Sequence, residues 1–195
     1  MSSGKRLGFK FNQRNVKDRT RFSGETDQSP ISFSDDNETI TRVERSIGDD
    51  FPSVRVVGDT AIPCSTLQLQ KETTCGCSCW WDFKIQKNHG FIEIGIIGTS
   101  ATGDRVYFLK PTKKEVQYEE NGDYKTQPYG DDIFEEGDNI RVIFKVSSNS
   151  AGGSLSFEKN GKSFGTAFGE IPLIDGHPFY PMVGLNDQGD SISIV

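Results

Sequence analysis

Cys75, Cys77 and Cys79, with Cys64 and His89 as outliers, are the densest set of metal-ligating side chains in the sequence. Thiolates hold zinc at about 2.3 Å in a tetrahedral shell. Alternate residues of an extended strand lie about 6.6 Å apart, so the outer two thiols are separated by roughly 13 Å and one ion cannot take all three. The paired C-x-x-C spacing of structural zinc sites is missing, and the cysteines are read as buried thiols that pack like small apolar side chains. His89 and His177, the only histidines, sit in turn-like contexts. Neither a G-x-S-x-G elbow nor an H-E-x-x-H pair accompanies them. The acid pairs Asp49-Asp50, Asp131-Asp132 and Glu135-Glu136 could cleave a glycosidic bond only by facing one another across a sugar, and they read as solvated loop charges. The sequence thus predicts no catalytic residue, no metal and no cofactor.

The elements that carry these residues are strands. From Cys75 to Ile85 one face holds Cys75, Cys77, Cys79, Trp81, Phe83 and Ile85, and the other Ser78, Trp80, Asp82 and Lys84, the two-residue period of a half-buried strand. Trp80 either meets solvent as a binding residue or is covered by the amino-terminal arm and an outer loop, and coverage is the preferred reading because a large exposed indole is uncommon. Phe91 to Ile97 reads as the return strand of a hairpin. Similar runs follow at 31–34, 39–43, 54–57, 104–110, 140–146, 155–157, 162–168, 179–185 and 191–194, and Asn160-Gly161 is the strongest tight-turn signal between any two of them. Residues 111–132 read as one long polar loop. Many short strands and no run of helical period point to an all-β, two-sheet antiparallel sandwich.

A chain of 195 residues with 21 Gly and 14 Phe suits a single such domain. Residues 1–21 carry seven basic side chains against Asp18 alone, a local charge of +6 that leaves −12 of the total of −6 to residues 22–195. An acidic body disfavours nucleic acid except through that arm, since phosphate neutralisation needs a clustered basic face. The predicted organisation is a flexible basic arm over 1–28 and a sandwich over 29–195. Without a membrane-spanning run or a signal-peptide core, the chain is expected inside the cell, in cytoplasm or nucleus, as a monomer.

Phe134-Glu135-Glu136-Gly137-Asp138-Asn139-Ile140, followed by Leu155-Ser156-Phe157-Glu158-Lys159-Asn160-Gly161-Lys162-Ser163-Phe164-Gly165-Thr166-Ala167-Phe168, resembles the SPRY domain family. Trp81-Asp82-Phe83-Lys84-Ile85, Ile94-Gly95 and Phe179-Tyr180-Pro181-Met182-Val183 are similar to further strands of that family, in the same order. The resemblance implies a bent, concanavalin-like sandwich without catalytic activity that grips a segment of a partner protein with loops at one rim, in a scaffold or adaptor. The chain ends at the expected last strand, so no ligase-recruiting box is expected after it. Loop position nominates Arg42, Arg45, Tyr107, Tyr129, Asn186 and Asp187 as contacts, Tyr and Arg because they combine area with directed hydrogen bonds. A lectin-like carbohydrate-binding module is the alternative function.

Overall fold

The computed structural model describes residues 4–17, 31–43, 54–63, 77–90, 92–100, 103–146, 152–174 and 176–195. Its strands are β1 (Lys5–Arg6), β2 (Phe11–Lys17), β3 (Ile31–Phe33), β4 (Thr39–Arg42), β5 (Val54–Gly58), β6 (Cys77–Lys87), β7 (Ile92–Ser100), β8 (Gly103–Lys110), β9 (Glu115–Glu120), β10 (Asp123–Pro128), β11 (Asn139–Val146), β12 (Gly152–Lys159), β13 (Lys162–Pro172), β14 (Phe179–Leu185) and β15 (Ser191–Ile194). Among the described residues the only helical turn is the 3-10 segment Pro111–Lys113. Sheet A runs β13-β12-β11-β6-β15-β4-β3, and sheet B runs β10-β9-β8-β7-β14-β5-β2.

Period-two alternation decides which side of sheet A is the core. Cys79, Trp81, Phe83 and Ile85 of β6, Ile140, Val142, Phe144 and Val146 of β11, and Leu155 and Phe157 of β12 are buried, while Ser78, Trp80, Asp82 and Lys84 are only half-buried on the outer face. Opposite them, Ile92, Ile94 and Ile96 of β7 and Phe179, Val183 and Leu185 of β14 complete the same cluster. Burying each such side chain contributes about 1.5–3 kcal/mol relative to leaving it in water.

Sheet B differs in being covered on both faces. Its outer face carries a second buried cluster of Val57, Ile97, Val106, Phe108 and Met182. Beside it, the Arg55 guanidinium donates to Glu93 at 2.7 Å and to Glu119 at 2.8 Å. Burial opposes the charge on Arg55, but the two carboxylates more than offset it and hold its pKa above the ordinary value.

Three expectations are corrected. The arm over residues 1–28 is not wholly outside the sandwich: β1 pairs with β6 in parallel, Lys5 opposite Cys79 and Arg6 opposite Trp80, and β2 pairs with β5. The reason is apolar: Phe9 and Phe11 are buried, Phe9 edge-on to Trp81 and Phe83, and Phe11 stacked on Phe83. Gly4 O accepts from Trp80 Nε1 at 3.3 Å, Arg6 lies 5.7 Å from the Trp80 ring, and Arg141, held by Asp82 at 2.8 Å, lies 4.0 Å above it. The arm therefore covers part of Trp80. Second, β6 and β7 form no hairpin. β6 pairs with β11 and β15 and β7 with β8 and β14, so the chain passes from one sheet to the other between them and Trp81 and Ile94 join the same core. Third, residues 111–132 are no single loop, because β9 and β10 pair across Asn121-Gly122.

Candidate functional site

Strand register determines which loops meet. Leu185 lies opposite Ile92 and Val54, Ser191 opposite Lys87 and Thr41, and Lys110 opposite Glu115. Residue 43 and the links 88–90, 111–114, 129–138 and 186–190 therefore gather at one end of the sandwich. The paired strand ends Ser100 and Gly103 and the β9–β10 turn lie at the other.

Asp190 organises the first end. Fully buried, it accepts from the backbone N–H of His89 at 2.7 Å, Asp187 at 2.8 Å and Asn186 at 3.3 Å. Burial raises its carboxyl above the ordinary carboxylate range, with those backbone donors opposing the rise. Arg42 clamps the same loop: its side chain donates to Leu185 O at 2.6 Å, and its backbone exchanges bonds with Asp190 O at 2.9 Å and Gly189 N at 2.8 Å. A Cβ on Gly90 would lie 1.5 Å from Asp187 Oδ2, so any larger residue there must displace the Asp187 side chain. Glu136 accepts from the Asn88 backbone at 3.2 Å and lies 3.4 Å from Lys87 Nζ.

Two side-chain oxygens on this rim are left over. Asn186 donates through Nδ2 to Asp187 at 3.2 Å, yet its Oδ1 is buried with no donor, and so is Asn88 Oδ1. An unpaired buried acceptor costs about 1–3 kcal/mol.

The predicted contact residues divide accordingly. Asp187 is half-buried on the rim and Asn186 sits beneath it with one oxygen free. Arg42 is 2% exposed and holds the loop from within. Tyr129 is spent on the fold, donating to Gly165 O at 2.7 Å and accepting from Phe157 N at 3.2 Å. Tyr107 lies in the core, its ring stacked on Tyr118 at 4.6 Å. Arg45 lies outside the described residues, as do Asp49 and Asp50. Asn88 and His89 were not nominated, because the sequence shows their turn but not the loop that closes over it.

The remaining reactive groups are dispersed. His89 is on this rim, 3.7 Å from Asp190, whereas His177 pairs with Ile174 at the opposite end. Burial pushes the Cys79 thiol up to about 12, far from thiolate formation at neutral pH. Cys64 and Cys75 lie outside the described residues, and among those described no three metal-ligating side chains come together. Asp131 pairs with Lys162 at 3.0 Å and Asp132 with Lys159 at 3.1 Å. Asp138 holds its own turn, accepting from Glu135 N at 2.8 Å and Asn160 Nδ2 at 2.6 Å.

Comparison with solved structures finds the same architecture at low identity. Stonustoxin aligns with TM-score 0.55 and 12% identity over 97% of this chain, which spans 29% of the toxin chain. The NHR domain of Neuralized from Drosophila melanogaster aligns with TM-score 0.51 and 13% identity over 100% of this chain and 95% of that one. Lectin UEA-II, solved with galactose, gives TM-score 0.50 and 7% identity over 84% and 87% of the two chains. At these identities the likeness is one of fold. A search of curated proteins finds no match. The family profile described as SPRY domain matches residues 78–195, which hold β6 to β15 and every loop of the rim except residue 43, and the chain belongs to the SPRY domain family.

Proposed function

We propose that this chain is a non-catalytic recognition module, working inside the cell as part of a scaffold or adaptor, that holds an extended segment of a partner protein against the rim built from 88–90 and 186–190. The observation that carries the reading is the pair of buried, donor-less amide oxygens of Asn88 and Asn186 above a loop pinned by Asp190. Backbone N–H groups of a partner reach such acceptors only as the rim opens to admit it, and half-buried Asp187 and exposed His89 flank them as polar contacts. Arg42 acts from below by fixing the loop, so its loss would weaken recognition through disorder of residues 186–190.

The test compares proteins retained from native extract by the wild-type chain and by Asn186→Ala combined with Asp187→Ala, at matched melting temperature. A partner retained by the wild type and released at least tenfold faster from the variant supports the rim. Equal retention by both removes it.

A further inference from the structure

Each sheet ends in a hairpin closed by Asn-Gly. In β9–β10 Asn121 and Gly122 have φ of 53° and 90°, and in β12–β13 Asn160 and Gly161 have φ of 49° and 84°. Like charges flank both turns: Glu120 lies directly opposite Asp123, and Lys159 opposite Lys162. Like charges in that position destabilise a strand pair. The lysines are answered within the chain, Lys159 by Asp132 and Asp138 at 3.1 Å each and Lys162 by Asp131 at 3.0 Å. The acids are less well answered: Glu120 accepts the Tyr118 hydroxyl and lies opposite Arg105 in the β8–β9 register without forming an ion pair with it, and Asp123 forms none with any cation among the described residues.

The strand beside that acid pair is open. β10 is the last strand of sheet B, and all six of its residues are exposed. A two-residue turn makes Glu120–Asp123 a hydrogen-bonded pair, so Tyr118–Lys125 and Val116–Gln127 are the next such pairs along β9–β10. The backbone N–H and C=O of Tyr124 and Thr126 consequently point to the free edge, and Pro128, lacking an N–H, ends it. Beyond Thr126 the edge is closed by Gln127 Nε2, which donates to Ala167 O of β13 at 2.8 Å. A cleft of about 550 Å³ at the hairpin end is lined by Tyr118, Glu120, Asn121, Asp123, Tyr124 and Lys125. Tyr124 is 70% exposed, against 44% or less for every other large exposed apolar side chain described.

We infer that β10 is a second recognition surface, on the opposite end from the rim, which receives an extended protein segment as an added antiparallel strand with a lysine or arginine side chain set against Glu120 and Asp123. Antiparallel addition continues the pattern of sheet B and is slightly the more stable pairing. Facing residues share a side of the sheet, so the segment needs an acidic residue opposite Lys125, a β-branched or aromatic residue against Tyr124, and a basic residue opposite Asp123, in that order from its amino end. The cation then pairs directly with Asp123, and its long side chain can reach over β10 toward Glu120. This surface stands independently of the rim.

The experiment titrates the full chain, followed by backbone-amide NMR, with a blocked eight-residue peptide whose centre is glutamate–valine–lysine. A control peptide carries glutamine at both charged positions. Shifts centred on Tyr124 and Thr126, with affinity about fivefold weaker for the neutral control, are expected from two cross-strand charge pairs. Thr126→Pro removes an edge donor without touching the β9 ladder and abolishes these shifts. Asp123→Lys replaces a like-charge pair by an opposite one, so it raises the melting temperature while weakening the peptide. Shifts confined to 88–90 and 186–190 overturn the inference and leave the rim standing. Equal binding of the two peptides, or no binding of either, also overturns it.

Discussion

The two hairpins that end the two sheets share a turn sequence and a turn conformation but differ in what surrounds them. Around Asn160-Gly161 the loop 129–138 wraps the strands: Lys159 also donates to Ile133 O at 2.6 Å, and Tyr129 reaches Gly165 O. β13 is itself irregular, with register shifts against β12 and positive φ at Gly165 (81°) and Glu170 (57°). Those bends blunt its edge against pairing with another chain. Around Asn121-Gly122 no such wrap exists among the described residues, and β10 is regular in register over its six residues. One turn chemistry therefore yields a tied edge and an open one, and the difference lies in the loop that packs beside it.

The largest effect expected from breaking this contrast comes at Tyr129. Tyr129→Ala removes a 9%-exposed ring packed edge-on to Phe157 and Phe164, and orphans both Gly165 O and Phe157 N–H. A loss of about 3–5 kcal/mol is expected by chemical denaturation. Tyr124→Ala, at the open hairpin, should change stability by under about 0.5 kcal/mol.

Asp138 comes next. Desolvation raises its carboxyl, but the Glu135 N–H, Asn160 and Lys159 outweigh that and hold it below the ordinary carboxylate range. A depressed folded-state value contributes stability that is complete above the unfolded carboxylate range and lost as pH falls through the folded value. Asp138→Asn should therefore flatten the acid limb of the stability curve below about pH 4. An acid limb unchanged by Asp138→Asn would show that these hydrogen bonds and Lys159 contribute no pH-dependent stability to the tied hairpin.

Sheet A was legible in the sequence because one face is wet: Cys79, Trp81, Phe83 and Ile85 alternate with Ser78, Trp80, Asp82 and Lys84, and the strand was read from that alone. Sheet B was read with less success because both its faces are covered. Val106-Tyr107-Phe108-Leu109 is an unbroken apolar run, in which period cannot tell the core face from the outer one. Tyr107 was accordingly nominated as a surface contact although it points inward. The same blindness turned β9–β10 into a loop, since its acids and Tyr124 obscure the Val116–Tyr118 alternation and Asn121-Gly122 went unused as a turn signal. At the rim, Asn186 and Asp187 were accessible as turn residues. Arg42 was nominated as a surface contact but holds the loop from within, and its role, like those of Asn88 and Asp190, depends on contacts between chain segments far apart in sequence, which no local pattern encodes. Phe9-Lys10-Phe11 did alternate, but the seven basic residues around it outweighed two aromatic ones in the reading of the arm.

A third comparison uses the turns themselves. A Cβ on Gly122 or Gly161 would meet no atom within 4 Å, so Gly→Ala at either position costs only the left-handed backbone term, about 1–2 kcal/mol. Gly161→Ala should show that whole cost in global unfolding, because the tied hairpin unfolds with the core. Gly122→Ala should show less globally and more in hydrogen exchange of the Tyr124 and Lys125 amides, because a weakly held hairpin opens on its own before the core does. Equal global costs would place both hairpins in one cooperative unit.

The smallest effect is electrostatic and has opposite signs at the two turns. Replacing Asp123 by Ser relieves its opposition to Glu120 and should stabilise the hairpin by about 0.5 kcal/mol at low salt. Because both acids are near the surface, most of that gain should vanish by about 1 M salt, where the screening length is roughly 3 Å. Lys162→Ser removes the same kind of opposition from Lys159 but also the contact with Asp131 at 3.0 Å, so it should leave stability unchanged or slightly lower at either salt concentration. Local opening free energies from hydrogen exchange at two ionic strengths separate the cases. If Asp123→Ser fails to protect the β10 amides at low salt, Glu120 and Asp123 are already neutralised within the chain, and the open hairpin holds no unanswered charge for a partner to meet.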